Sequence, residues 1–217
     1  MKSEPIYANA KNYDPKRNRT EGLRVAHDFL DLNKISTPSF NTHTMREAEG
    51  QDLSCAVGCY YPTEAEIYAP LERAASLSKD LKDYNFSFTG SKTDYTSAGI
   101  LAHEVGHHVH LELAGRSNIK TWSHAQDKIS IGLVQVRKRE VQVSWYEPDL
   151  LEMFAEAMRI FILNPNLMKT GRPERFKYLT ETCNLKPLHD VSWKRVMKHA
   201  SPRIIRGCEG WIIEGTA

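Results

Sequence analysis

The chain has 217 residues, of which 41% are hydrophobic and 26% charged, and its formal net charge is +2. That length suits one sizeable domain with at most a small appendage, and the balance is that of a globular protein rather than a disordered one. So small a charge excludes a dedicated polyanion partner, and no apolar run is long enough to cross a bilayer. Basic clusters at Arg137-Lys138-Arg139 and around Lys194-Arg195 read as solvated surface, so neither nucleic acid nor a membrane is expected as a partner.

The start, Met1-Lys2-Ser3-Glu4-Pro5, lacks the apolar core of a secretory signal, which points to the cytoplasm. The cysteines Cys55, Cys59, Cys183 and Cys208 contain no Cys-x-x-Cys pair, so four reduced thiols are expected rather than a second metal site.

Residues 1–19 are polar and read as an N-terminal arm, leaving 20–217 as a single domain. Thr20 can cap a helix running to Leu32, with Asn33 at its exit. A polar stretch leads to a short helix over 45–53. Thr63-Glu64-Ala65-Glu66 has the form of a capping box, but a helix from there would contain Pro70, at a cost of about 3 kcal/mol. A hairpin of 57–61 and 66–69 with a turn at 62–65 avoids that cost, and Pro70 then opens a helix over 71–84.

Phe86-Ser87-Phe88 alternates like a strand and runs into a turn at Gly90. Ser97 can cap the next helix and Gly115 can end it, with Ile100, Leu101, Val105, Val109 and Leu113 on its buried side. Segments 129–136 and 140–145 are rich in β-branched residues and predict a second hairpin. Asp149 precedes an apolar helix over 150–163, stopped by Asn164-Pro165. Helices from Pro173 to Leu179 and over 193–199 complete the pattern. The fold class is therefore α+β, mainly helical with a small mixed or antiparallel sheet.

Chemistry concentrates in His103-Glu104-Val105-Gly106-His107. Positions i and i+4 of a helix share a face, so His103 and His107 can grip one ion. Glu104 lies about 100° further round, beside the ion, where a general base belongs. A catalytic zinc site needs three protein ligands and an open position. The apolar helix Leu151-Glu152-Met153-Phe154-Ala155-Glu156 supplies candidates, because a carboxylate in so apolar a helix calls for a partner. One of Glu152 and Glu156 would ligate, and the other would accept a hydrogen bond from a ligand histidine. His124 is a substitute third ligand. His110 lies near the His103 face two turns on, whereas His108 points away.

The pairing of His103-Glu-x-x-His107 with Glu152-x-x-Ala155-Glu156 resembles the gluzincin arrangement. More narrowly, Glu152-Met-Phe-Ala-Glu-Ala-Met-Arg159 is similar to the corresponding helix of anthrax lethal-factor-type metalloproteases and related bacterial and phage-borne peptidase domains. The resemblance covers about residues 97–165 and implies a zincin-like fold with the metal site between two helices. It makes Glu152 the third zinc ligand and Glu156 the carboxylate behind a histidine. Tyr146, just before the helix, takes the place of a tyrosine that stabilises the oxyanion in such proteins. A strand before the metal helix, here 86–88, can form the edge along which substrate backbone lies.

The implied activity is peptide-bond hydrolysis of a protein or peptide substrate by a metal-activated water, with one Zn2+ held by His103, His107 and Glu152. Glu104 serves as general base and Tyr146 as oxyanion donor. A phage-borne origin would place the protein in a host cytoplasm or a virion. The competing expectation is a catalytically silent zinc-binding module with a structural or interaction role, for example in a phage particle.

Overall fold

The computed structural model describes residues 15–41, 58–69, 97–115, 128–140 and 149–188. Helix α1 spans Pro15–Leu32, and three short strands follow: β1 (Ser39–Asn41), β2 (Cys59–Tyr61) and β3 (Glu66–Tyr68). The remaining elements are α2 (Ser97–Ala114), α3 (Lys128–Arg137), α4 (Leu150–Leu163), α5 (Pro165–Gly171), α6 (Pro173–Lys177) and a π-turn over Tyr178–Thr182. The described residues are thus mainly helical with one small mixed sheet, as the α+β expectation holds. No helix among them is long and apolar enough to cross a membrane.

Helix α2 is apolar nearly all round, so burial on every side is its stable solution. Ile100, Leu101, Val105, Val109 and Leu111 are at most 2% exposed. The helix runs between α1 and α4, with β2 against a further side. Gly115 ends it at φ 89°, a left-handed conformation that glycine adopts without a Cβ clash.

Helix α4 carries the second half of the core. Met153, Phe154, Met158, Phe161 and Ile162 are wholly buried, each worth about 1.5–3 kcal/mol against exposure. Asp149 caps it, its Oδ1 accepting from the Leu151 N–H at 2.8 Å and the Glu152 N–H at 3.4 Å. Asn164 ends it, and Pro165 opens the short α5 directly.

The first hairpin forms as read. Strands β2 and β3 pair antiparallel with Tyr60 opposite Ile67, and Ala65 in the turn adopts φ 52°. Strand β3 lies in the middle, because β1 adds on its other side in parallel, Phe40 opposite Ile67.

Two expectations are corrected. The polar arm does not extend to residue 19: α1 begins at Pro15, a residue suited to the first helical position, and Arg19 is buried. Thr20 is not a cap, since its hydroxyl donates to the Lys16 carbonyl four residues back, as threonines do inside helices. Residues 129–136 are not a strand but helix α3, which presents Ile129, Leu133 and Val136 to the core at helical spacing. Of the expected second strand, only Glu140 is described, and it lies in a bend after α3. Its side chain accepts from the Glu174 N–H at 2.6 Å and pairs with the buried Arg175 at 3.5 Å. The elements expected over 45–53, 71–84, 86–88, 141–145 and 193–199 lie outside the described residues.

Candidate metal centre

The close approach of α2 and α4 builds the site. A Cβ on Gly106 would stand 2.8 Å from the Ala155 Cα and 2.9 Å from the Met158 Cβ, so the helices meet backbone against backbone. His103 and His107 flank that contact on α2, and Glu152 and Glu156 flank it on α4. Pairs spaced i, i+4 on each helix are thereby turned towards one another.

Three donors converge. His103 Nε2 and His107 Nε2 stand 3.1 Å apart, and the Glu152 carboxylate lies 3.0 Å from the first and 3.5 Å from the second. Bonds of about 2.0–2.1 Å to a tetrahedral ion place neighbouring donors about 3.3 Å apart, so the separations fit such an ion. His103, His107 and Glu152 are a group that can hold a metal. Glu104, Glu156 and His110 are not part of it.

Burial decides which glutamate does what. The Glu152 side chain keeps 31% of its surface accessible, whereas that of Glu156 keeps none. Glu156 instead stands behind His103, its Oε1 2.7 Å from His103 Nδ1 in a contact bent away from the ideal N–H direction. A carboxylate there favours the Nδ1–H tautomer and leaves Nε2 for an ion.

The electrostatics call for positive charge at this point. Burial and the Arg159 charge push the His103 imidazole down, but contacts with Glu152 and Glu156 outweigh them and raise it to about 9. Burial alone would raise the Glu152 carboxyl, yet hydrogen bonds from His103 and His107 hold it far below the usual range. A group that keeps a proton so firmly between imidazole and carboxylate offers the same place to a divalent cation.

Glu104 is 5% exposed, and burial pushes its carboxyl up against the opposing charges of His103 and His107. The backbone just before β2 approaches it closely: a Cβ on Gly58 would lie 2.7 Å from Glu104 Oε1 and 3.0 Å from Ile100 Cγ2. The carboxylate is therefore held between its own helix and the backbone at Gly58.

The other histidines of α2 are structural. His108 is buried, with Nε2–H donating to the Ser36 carbonyl at 2.7 Å and Nδ1 accepting from the Tyr60 hydroxyl at 3.0 Å. His110 pairs with Ser130 Oγ at 3.2 Å and stacks on Phe154. His27 packs edge-on against Phe40 at the surface. Tyr146, His124, Cys55 and Cys208 lie outside the described residues, and Cys59 and Cys183 are present as thiols.

The structure brings His103, Glu104, His107, Glu152 and Glu156 together where α2 meets α4, with two neighbours that sequence reading did not single out. Gly58 carries no motif at all. Arg159, whose guanidinium lies 2.6 Å from Glu156, had a signal in its spacing of three from that residue on an otherwise apolar helix. No protein-family model, curated protein or solved structure matches this chain.

Proposed function

We propose that the protein is a zinc-dependent endopeptidase of the gluzincin type, with a zincin-like fold, acting on protein or peptide substrates. The observation that carries this reading is the convergence of His103, His107 and the partly exposed Glu152 on one point, with Glu104 beside them outside the ligand group. Two imidazole nitrogens and one carboxylate oxygen suit zinc among the common divalent metals. A zinc ion held there supplies Lewis acidity, polarising the scissile carbonyl and bringing the pKa of a water to about 7.

The chain's own residues do the rest. Glu104 takes the proton of the attacking water and delivers it to the leaving amine. Its burial raises its basicity towards the working pH, which favours both halves of that transfer. Glu156 keeps His103 in the ligating tautomer. Tyr146, by the resemblance of its position before α4, donates to the oxyanion.

The test is zinc content by elemental analysis followed by cleavage of a peptide library with and without chelator. One equivalent of zinc and chelator-sensitive cleavage are expected. Glu104→Gln should keep the zinc and lose about 10²–10⁴-fold in turnover, the usual span for a general base. Zinc uptake with no cleavage of any peptide would leave a silent zinc-binding module, and cleavage by Glu104→Gln at the parent rate would overturn the mechanism.

A further inference from the structure

We infer that Arg159 is a positioning residue for the metal centre: its buried guanidinium clamps Glu156, which in turn fixes the His103 ring. The inference rests on the reading that His103, His107 and Glu152 hold a divalent cation.

Glu152, Glu156 and Arg159 occupy positions i, i+4 and i+7 of α4 and so line one face of the helix. Arg159 is 4% exposed and Glu156 is fully buried. The Arg159 Nη2–H donates to Glu156 Oε1 at 2.6 Å, the same oxygen that stands 2.7 Å from His103 Nδ1. Glu156 Oε2 is buried and has no hydrogen-bond partner among the described residues. A single carboxylate oxygen thus faces both the guanidinium and the ring, and the other oxygen accepts no hydrogen bond that would fix the group. Arg159 is what holds Oε1 facing the ring.

Stability does not explain the pair. Buried ion pairs contribute little net stability, and apolar replacements of similar volume are often neutral or better. Apolar residues at both 156 and 159 would serve the core of α4 as well, whereas removing Arg159 alone leaves the buried Glu156 charge unpaired. A guanidinium there gains its use from the direction it imposes on the carboxylate, since a charge-assisted bond of this length is strong and oriented. The line Arg159, Glu156, His103 Nδ1, His103 Nε2 then carries orientation from the helix interior to the ion.

The test is zinc affinity, read by competition with a chromophoric chelator, for the parent, Arg159→Met, Arg159→Lys, Glu156→Gln and the double variant Glu156→Gln/Arg159→Met. Glu156→Gln should weaken zinc about 10–100-fold and Arg159→Met about tenfold, with Arg159→Lys in between. In the Glu156→Gln background, Arg159→Met should cost no more than about threefold, because the group it orients is altered. The visible bands of the cobalt-substituted protein should shift in Arg159→Met, which a distant packing defect would not cause. An Arg159→Met variant that binds zinc like the parent, or that loses the same factor in both backgrounds, would overturn the inference. If Arg159→Met does not fold, Arg159→Lys is measured in both backgrounds and judged by the same rule. A parent protein that takes up no zinc would overturn the proposed function instead, so the two failures are distinguishable.

Discussion

Gly106→Ala tests how the two halves of the site are held together. The added Cβ would lie 2.8 Å from the Ala155 Cα, 2.9 Å from the Met158 Cβ and 3.1 Å from the Ala155 carbonyl oxygen. Two of these three atoms belong to backbone, so no flexible side chain can move aside for both. Restoring ordinary carbon contacts of about 3.5–4.0 Å requires α2 and α4 to part by about 0.7–1.2 Å. Overpacking of this kind costs about 1–3 kcal/mol, offset by about 1 kcal/mol from the better helix propensity of alanine. The metal-free protein should therefore lose about 0–2 kcal/mol, a few degrees in Tm.

The ligands feel the same movement far more. Glu152 is 3.0 Å and 3.5 Å from the two imidazoles across the opened seam, and a metal site tolerates deviations of only about 0.2 Å. Zinc affinity should fall about 10–100-fold, comparable to loss of a supporting residue. Thermal unfolding in chelator and zinc competition measured on the same preparation separate the two effects. A folded Gly106→Ala protein with parental zinc affinity would refute the claim that this backbone contact sets the ligand geometry.

Three further outcomes follow from particular contacts. Gly58→Ala should push the Glu104 carboxylate off its position and lower kcat about 10–100-fold while zinc affinity stays at the parent value, measured by peptide cleavage and chelator competition; an unchanged kcat would remove the Gly58 backbone from any role at the base. Asp149→Ala removes the cap one turn before Glu152 and should cost about 0.5–2 kcal/mol in denaturant unfolding, and an unchanged midpoint would mean the cap is idle. Chelator-stripped protein should carry its full increment between pH 4.5 and 6.5 and lose it as pH rises through about 9, because the His103 pKa is raised in the folded state, those of Glu152 and Glu156 are lowered, and the proton they share is then lost. The zinc-loaded protein should show no such decline in Tm, since the ion takes the proton's place; parallel profiles would sink that reading.

The site was legible because its chemistry is local in sequence. His103 with His107, and Glu152 with Glu156, each carry their spacing within one helix, and the apolar residues around them announce burial. Arg159 was less legible, because an arginine on an apolar helix names no partner until Glu156 is seen beside it. Gly58 was illegible, since nothing in a sequence says that its backbone will press on a carboxylate from a helix 46 residues later.

Helix α3 was misread for a related reason. Ile129, Ile131, Val134 and Val136 invite a strand, but Leu133 completes a helical face, and tertiary packing overrides β propensity. Gly132 receives the Tyr178 ring, whose hydroxyl donates to the Ile129 carbonyl at 2.8 Å, a contact that ties α3 to a segment nearly fifty residues on. Strand β1 is three residues long and earns its place by pairing with β3, so no pattern within it could announce it.

Helix α2 holds four imidazoles within eight residues, at 103, 107, 108 and 110. Folding commits His108 to Ser36 and Tyr60, and His110 to Ser130 and Phe154. The unfolded chain has no such commitments and is itself a polyhistidine chelator. A ligand stabilises a protein only by the difference between its binding to the native and unfolded forms. Zinc will therefore protect this chain less than its native affinity suggests. Beyond saturation of the native site, added metal should begin to favour the unfolded form.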